Sequence, residues 1–324
     1  MKVVLIGCGG IGAMHAQMIV GSGLTLAAVA DADPARAKAF AKQFGAKDYT
    51  DASKAMQHPG IDIVAIATPT MTHLKLATEA AKLGKHIFCE KPIARTVADS
   101  EKIISIADKA GVKLFVGHVV RYFQEFEAIR EQIKSGAIGK PGFVRTYRGG
   151  IMPAGWFRDY KLSGGVTFDC SIHDFDWIRF AFGDVERVFS QHLQRSKPTP
   201  MDYSMTTLRL KSGMLAQVTG VWAQPSGFQV KVEVCGESGM IQYDSAQTPI
   251  RSNIRAEKLG APNMIVPASP VPKSPYQLEW EDFAAWCTNP KHKPRVTPAD
   301  ALEAVRIGLA ALSSADTGKP VRLS

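Results

Sequence analysis

The chain has 324 residues, of which 45% are hydrophobic, with 39 basic against 30 acidic side chains. That length argues for about two domains of roughly 150 residues each, with cores that need neither a disulfide nor a metal to hold. The balance excludes a disordered or collagen-like chain, and no apolar run approaches the ~18 residues of a membrane span.

The net charge of +9 is scattered. Its densest spot, Lys291-His292-Lys293-Pro294-Arg295, has no interleaved aromatics and reads as a solvated loop. Neither a nucleic acid nor a membrane is therefore expected as a partner. The five cysteines, Cys8, Cys89, Cys170, Cys235 and Cys287, are far apart and odd in number, which fits a reduced, cytoplasmic setting. Leu5-Ile6-Gly7-Cys8 spells a lipoprotein-like cleavage box, but too few apolar residues precede it for a signal peptide.

In chain order, Val3–Ile6 is a short apolar run that reads as a buried parallel strand. Gly7-Cys8-Gly9-Gly10-Ile11-Gly12 follows and leads into a helix from Ile11 to about Val20. A second strand over Leu24–Ala30 ends at Asp31. Asp33 and Pro34 are suited to cap and begin the next helix. Strands over Ile63–Ala67, His86–Cys89 and Lys113–Gly117 then alternate with helices over His73–Leu83 and Thr96–Ala110. This alternation predicts a doubly wound parallel sheet covered on both faces.

After Gly117 the rhythm changes. A helix over Arg121–Ser135 and a strand over Phe143–Arg148 lead to a glycine-rich stretch, then to a helix over Asp169–Phe180. From Arg187 strands follow in succession, including 205–210, 216–222, 229–235 and 240–243, which predicts an antiparallel sheet. Five prolines make 262–275 an irregular loop, and helices over Gln277–Thr288 and Pro298–Ser314 close the chain.

The glycine motif gains meaning from its context, with a strand before it, a helix after it, and Asp31 19 positions beyond Gly12. Gly7 permits the tight turn, Gly9 lets a pyrophosphate approach the backbone, and Gly12 lets helix and strand pack closely. Gly10 and Ile11 open the helix whose amides would face the phosphates. Asp31 would accept hydrogen bonds from an adenosine ribose and repel a 2′-phosphate, and Ala32 offers no arginine to bind one. NAD is therefore favoured over NADP.

Three further groups can carry chemistry. Lys91, in Glu90-Lys91-Pro92, follows a strand at the end where such sheets bind ligands, and could stabilise a forming alkoxide. It could equally be a solvated lysine. Asp169 and His173 are four apart on a predicted helix, and a histidine there can accept the proton of an alcohol. Alternatively Asp169 is a cap and His173 a satisfied core histidine. Asp174 and Asp176 read as capping or surface partners. No third ligand completes a metal site with Asp169, His173 and Asp176, so no metal is expected. Trp156-Phe157-Arg158 offers an indole face for a sugar or nicotinamide, or a core tryptophan under a loop.

Together these pieces resemble the Gfo/Idh/MocA family of glucose–fructose oxidoreductases, inositol dehydrogenases and rhizopine catabolism proteins. The resemblance covers nearly the whole chain. It includes the glycine motif with Asp31, Ala67-Thr68-Pro69-Thr70 with His73, Glu90-Lys91-Pro92, Arg121, Trp156 with Arg158, and Ser163-Gly164-Gly165 before Asp169-x-x-x-His173. The tail Ser314-Ala315-Asp316-Thr317-Gly318-Lys319-Pro320-Val321 adds to it. Where the family often has three glycines, this chain begins the run with Ser163, a change expected to be tolerated.

The resemblance implies a Rossmann domain over 1–119 and a C-terminal α+β domain over 120–324 with a large open, mostly antiparallel sheet. The last helices would be able to pack back on the first domain. It makes Lys91, His173 and Asp169 the catalytic set, and adds Trp156 and Arg158 to them as substrate-binding residues. To the glycine motif and Asp31 it adds Thr68, Pro69, Thr70, His73, Glu90, Lys91 and Arg121 as cofactor contacts. It further implies a cis peptide before Pro92, and a homodimer or homotetramer through the C-terminal sheet.

The implied activity is a reversible NAD-dependent dehydrogenase of a ring polyol, either a cyclitol or an aldopyranose sugar. Its rivals are an NAD-binding regulator without turnover, an enzyme that retains NAD through a closed redox cycle, and a reductase of small diols or dicarbonyls. Discrimination among substrates would rest on 149–163, the strand around Trp222 and the proline-rich loop.

Overall fold

The computed structural model describes residues 1–197, 200–224, 227–247 and 273–323. Six parallel strands form the first sheet: β1 (Lys2–Ile6), β2 (Thr25–Ala30), β3 (Lys47–Tyr49), β4 (Ile63–Ile66), β5 (His86–Cys89) and β6 (Leu114–Val116). Their spatial order is 3-2-1-4-5-6, so the order in which strands are added reverses between β1 and β4 and opens a crevice at the strands' C-terminal ends. The central strands are unbroken apolar runs because helices cover both faces: α1 (Gly10–Gly21), α2 (Pro34–Phe44), α3 (Ala52–Met56), α4 (His73–Lys82) and α5 (Val97–Lys109). Asp33 caps α2 as its sequence predicts, accepting from the amides of Ala35 and Arg36. The short β3 and α3 carry too few apolar residues to announce themselves in the sequence.

The second sheet holds β7 (Pro141–Gly150), β8 (Val185–Arg195), β9 (Met201–Leu210), β10 (Leu215–Trp222), β11 (Gln229–Gly236), β12 (Met240–Asp244) and β13 (Val321–Arg322). Their order is 12-11-7-10-9-8-13, antiparallel throughout except for the β7–β10 pair. Beyond the first sheet the chain forms α6 (Gln124–Lys134), the single turn α7 (Tyr160–Ser163), α8 (Ile172–Phe182) and α10 (Pro298–Thr317), and one face of the second sheet packs on α6, α8 and α10 through residues such as Phe126, Phe175, Leu208, Val218 and Ile307. The other face presents the alternate residues of the same strands, among them Phe189, Leu193, Tyr203 and Met205.

Two helices fasten the layers. Helix α9 (Pro275–Thr288) returns to the first sheet, where Trp280 stacks on Phe88 at 4.3 Å and Phe283 lies 5.4 Å from Phe115. Such aromatic pairs add about 0.5–1.5 kcal/mol each beyond their area burial. Helix α10 belongs to both cores, burying Ala301, Ala304 and Val305 on one side and Ile307, Ala310 and Ala311 on the other. The proline-rich loop lies outside the described residues except for its last three.

Three expectations need correction. The helix read over Arg121–Ser135 is a 3-10 turn at Val119–Tyr122 followed by α6, because Phe123 is extended between them. The helix read from Asp169 begins instead with one turn of π-helix at Val166–Cys170, and α8 follows. Asp174 and Asp176 are neither caps nor surface groups. Asp176 is buried and holds the Arg121 guanidinium through two bonds of 2.8 and 2.6 Å, while Arg121 also reaches the Arg295 carbonyl at 2.8 Å.

Removing one partner of a buried ion pair leaves the other charge poorly compensated, and for Arg121 the partly exposed Asp300 carboxylate at 3.2 Å replaces Asp176 only in part. Asp176→Ala should therefore cost about 3–5 kcal/mol in urea unfolding. A loss below about 1 kcal/mol, the range of exposed pairs, would contradict this clamp.

Candidate active site

A cleft of about 1090 Å³ opens at the switch point between β1 and β4 and runs from Asp31 to His173. Its first half is the glycine turn. Gly7 has φ +101°, and a Cβ there would stand 2.4 Å from the Ala67 carbonyl oxygen. Gly12 is packed so closely that a Cβ would come 2.1 Å from the Gly7 carbonyl oxygen. Gly9 and Gly10, by contrast, face open space within 4 Å. The first bond of α1 runs from the Ala13 amide to the Gly9 carbonyl, so the amides of Gly10, Ile11 and Gly12 are the helix's free donors. Backbone donors beside open space suit a diphosphate, and the residues present fit a dinucleotide.

Asp31 ends β2 with both carboxylate oxygens oriented by the backbone: Oδ2 accepts from the Cys8 amide at 2.8 Å and Oδ1 from the Asp33 amide at 2.9 Å. Ala32 offers no cation, but Arg36 of α2 does. It lines the same end of the cleft, 3.8 Å from Asp31, and the sequence reading overlooked it because it lies a helical turn away.

Thr68, Pro69 and Thr70 line the middle of the cleft. His73 does not line it. Buried under the loops, its ring nitrogens lie 2.9 Å from the Thr68 carbonyl and 3.0 Å from that of Pro92, so it ties the segment after β4 to the segment after β5. Arg121 does not line it either, being committed to Asp176. Both side chains brace the loops around the cleft. The Lys91–Pro92 peptide is cis.

The far end gathers side chains from both layers. Lys91 reaches from the end of β5 to the Asp169 carbonyl at 2.8 Å and to its carboxylate at 3.3 Å. Burial raises the Asp169 carboxyl above the usual range, although the Lys91 ammonium pulls it back. Asp169 sits in the π turn, which the chain enters through Gly164 and Gly165, both with positive φ. A Cβ on Gly165 would stand 2.3 Å from the Asp202 carboxylate. The Ser163 Oγ beside them donates to the Phe157 carbonyl and accepts from the Gly165 amide, each at 2.9 Å.

His173 opens into the same cleft. Its Nδ1 is buried without a partner among the described residues. Burial, then the charges of Lys91 and Arg148, hold its pKa well below the usual 6.5, so the ring is neutral at neutral pH and able to take a proton. Trp156 lines the cleft, stacked on Phe157 at 4.2 Å, and Phe157 meets Trp222 edge-on. Gly150, Ile151 and Pro153 complete this wall, so part of 149–163 and the strand end at Trp222 face the cleft.

Arg158 is the exception. It is exposed, its Nε donating to the Pro153 carbonyl at 3.3 Å, and stands outside the cleft lining.

Besides Arg36, Arg148 and Tyr276 line the cleft without having been singled out in the sequence. Arg148, buried on β7 and paired with Asp174 at 2.7 Å, is recognisable only from its strand register. Tyr276 sits at the start of α9, beside the proline-rich stretch. Among the described residues no group of three or more His, Cys, Asp or Glu is placed to hold a metal ion. No described helix is long and apolar enough to cross a membrane.

Comparison with known proteins agrees with this geometry. The model of the Gfo/Idh/MocA oxidoreductase family with an NAD-binding Rossmann fold matches residues 1–118, and the model of that family's C-terminal domain matches 126–242. The chain is 33% identical to a myo-inositol 2-dehydrogenase of Thermotoga maritima over 257 residues, covering 76% of each chain. It is 32% identical to the scyllo-inositol 2-dehydrogenase (NAD(+)) of Bacillus subtilis, covering 100% of this chain and 96% of the relative. A solved structure titled a probable dehydrogenase from Thermotoga maritima superposes with a TM-score of 0.84 at 28% identity, covering 99% of both chains.

The glycine turn yields a paired test. Gly9→Ala places a methyl in open space, so thermal stability should hold while NAD affinity falls at least about tenfold. Gly12→Ala should lower the melting temperature, because the Gly7 carbonyl must move. Titration calorimetry and thermal melts read both, and equal NAD affinity in Gly9→Ala and the parent would contradict the diphosphate assignment.

Proposed function

The chain belongs to the Gfo/Idh/MocA oxidoreductase family, and on that premise we propose that it oxidises one secondary hydroxyl of a ring polyol with NAD, reversibly. The observation that carries this is the convergence of Lys91, Asp169 and a neutral His173 on the cleft that also holds the glycine turn and Asp31. A cyclitol is the favoured substrate, since the relatives reported above are named for myo- and scyllo-inositol. An aldopyranose is the alternative.

When bound, NAD supplies the acceptor for the hydride that leaves the carbinol carbon. His173 takes the hydroxyl proton as that carbon becomes a carbonyl. Lys91 holds the reacting oxygen and stabilises its negative charge. Asp169 keeps the ammonium aimed and takes a further substrate hydroxyl. Trp156 and Phe157 offer flat faces to the apolar side of a ring. Asp31 favours the ribose hydroxyls of NAD, and Arg36 beside it lowers the penalty for NADP without removing it.

Two further points belong to this proposal. The unpaired state of all five cysteines supports a reducing, cytoplasmic setting. The open face of the second sheet, with Phe189, Leu193, Tyr203 and Met205, supports assembly as a homodimer or homotetramer. Light scattering should then give a mass two or four times 35.1 kDa, and a single 35.1 kDa species would contradict it.

Loss of a general base costs roughly 10²–10⁴-fold in turnover. His173→Ala should lose that much kcat on inositols while still binding NAD, and unchanged turnover would contradict the assignment. The pH profile carries a sign. A base acts when unprotonated and His173 titrates below the usual 6.5, so kcat/KM for oxidation should stay flat as pH falls through that value and drop only below it. An acid limb centred at or above 6.5 would count against His173 as the base. Asp31→Ala should weaken NAD more than NADP, and a parent that already prefers NADP would overturn the cofactor choice.

A further inference from the structure

Behind the cleft wall lies a buried chain of hydrogen bonds that the proposed reaction does not use. His15, on the second turn of α1, is fully enclosed. The indole Nε1 of Trp280, on α9, donates to His15 Nδ1 at 3.0 Å. An indole nitrogen can only donate, so Nδ1 is the accepting nitrogen and the ring proton sits on Nε2. Nε2 then donates to Glu90 Oε1 at 2.6 Å, and the Lys91 amide donates to Glu90 Oε2 at 2.9 Å. Gly117 packs so tightly against this carboxylate that a Cβ there would stand 3.2 Å from Oε1.

Two donors to one carboxylate hold it ionised. Burial alone would raise the Glu90 pKa, but the His15 hydrogen bond and the nearby charges bring it below the usual value. Both donors are neutral groups, and the adjacent Lys91 ammonium is turned to Asp169. Glu90 is thus a buried anion on the cleft wall whose cationic neighbour, the Lys91 ammonium, lowers its pKa but spends its hydrogen bonds on Asp169. It is one residue from Lys91, at the end of the cleft where a nicotinamide must lie for hydride and proton to leave the same substrate group.

We propose that Glu90 is an electrostatic partner for the positively charged, oxidised nicotinamide, and that His15, held by Trp280, is a positioning residue that keeps that carboxylate ionised and in place. The wall then favours NAD+ over NADH and draws the bound couple toward the oxidised form. This deepens the dehydrogenase reading above and rests on it.

The test is the ratio of NADH to NAD+ dissociation constants, measured by calorimetry on the full chain. Glu90→Gln keeps the shape and removes the charge, and should move the ratio toward NADH at least about tenfold, since charges at this range inside a protein are weakly screened. His15→Leu, which strands the carboxylate, should move it the same way. His15→Gln restores a donor toward Glu90 and an acceptor toward Trp280, and should return the ratio to within about twofold of the parent. A merely structural role for His15 would weaken both forms of the cofactor together and leave the ratio alone. An unmoved ratio in a folded Glu90→Gln that still binds both forms would overturn the proposal. A parent that binds neither form would overturn the dehydrogenase reading as well.

Discussion

The site depends on one contact between layers: the Lys91 ammonium against the carbonyl and carboxylate of Asp169. Lys91 comes from the first sheet and Asp169 from the π turn that opens the second domain's α8. Taking both charges out of water is costly, and mutual attraction compensates only if neither side chain can drift. Much of the nearby architecture serves that condition. His73 ties the loops on either side of Lys91, and Gly164-Gly165 lets the chain enter the turn that carries Asp169. The Arg121–Asp176 clamp and the shared helix α10 fix the distance between the layers.

The same constraint explains why so much of the cleft wall is electrostatically arranged. Lys91 is neutralised by Asp169 and Arg148 by Asp174. Both cations still weigh on His173, which burial has already pushed toward the neutral form. A neutral imidazole beside paired charges is ready to take a proton without first losing one. The aromatic face of Trp156 and Phe157 opposes these polar groups, and a ring polyol has the matching character: hydroxyls at its edge and C–H groups on its faces.

Much of this was legible in the sequence, because the relevant signals are local. The strand, the glycine turn and Asp31 occur within one βαβ unit, and alternation of apolar runs with helices fixes the sheet class. Glu90-Lys91-Pro92 and Asp169-x-x-x-His173 mark the site through their resemblance to a family, whereas chemistry alone left them with bland alternatives. What was not legible was long-range. Arg121 sits in a motif, but its guanidinium is claimed by Asp176, 55 residues on. Arg158 follows Trp156, but the turn at 155–158 sends it to solvent. Arg36, Arg148 and Tyr276 enter the cleft through helix phase, strand register and the return of α9, none of which has a local signature.

The central claim is that this cleft moves a hydride from a polyol carbon to NAD. The most direct measurement is a single turnover of inositol deuterated at its ring carbons, with enzyme and NAD in excess, followed by mass spectrometry of the cofactor. The account predicts one deuterium in the nicotinamide ring of the NADH formed, and none in His173→Ala. An unlabelled cofactor, with calorimetry showing that both NAD and the polyol are bound, would contradict it.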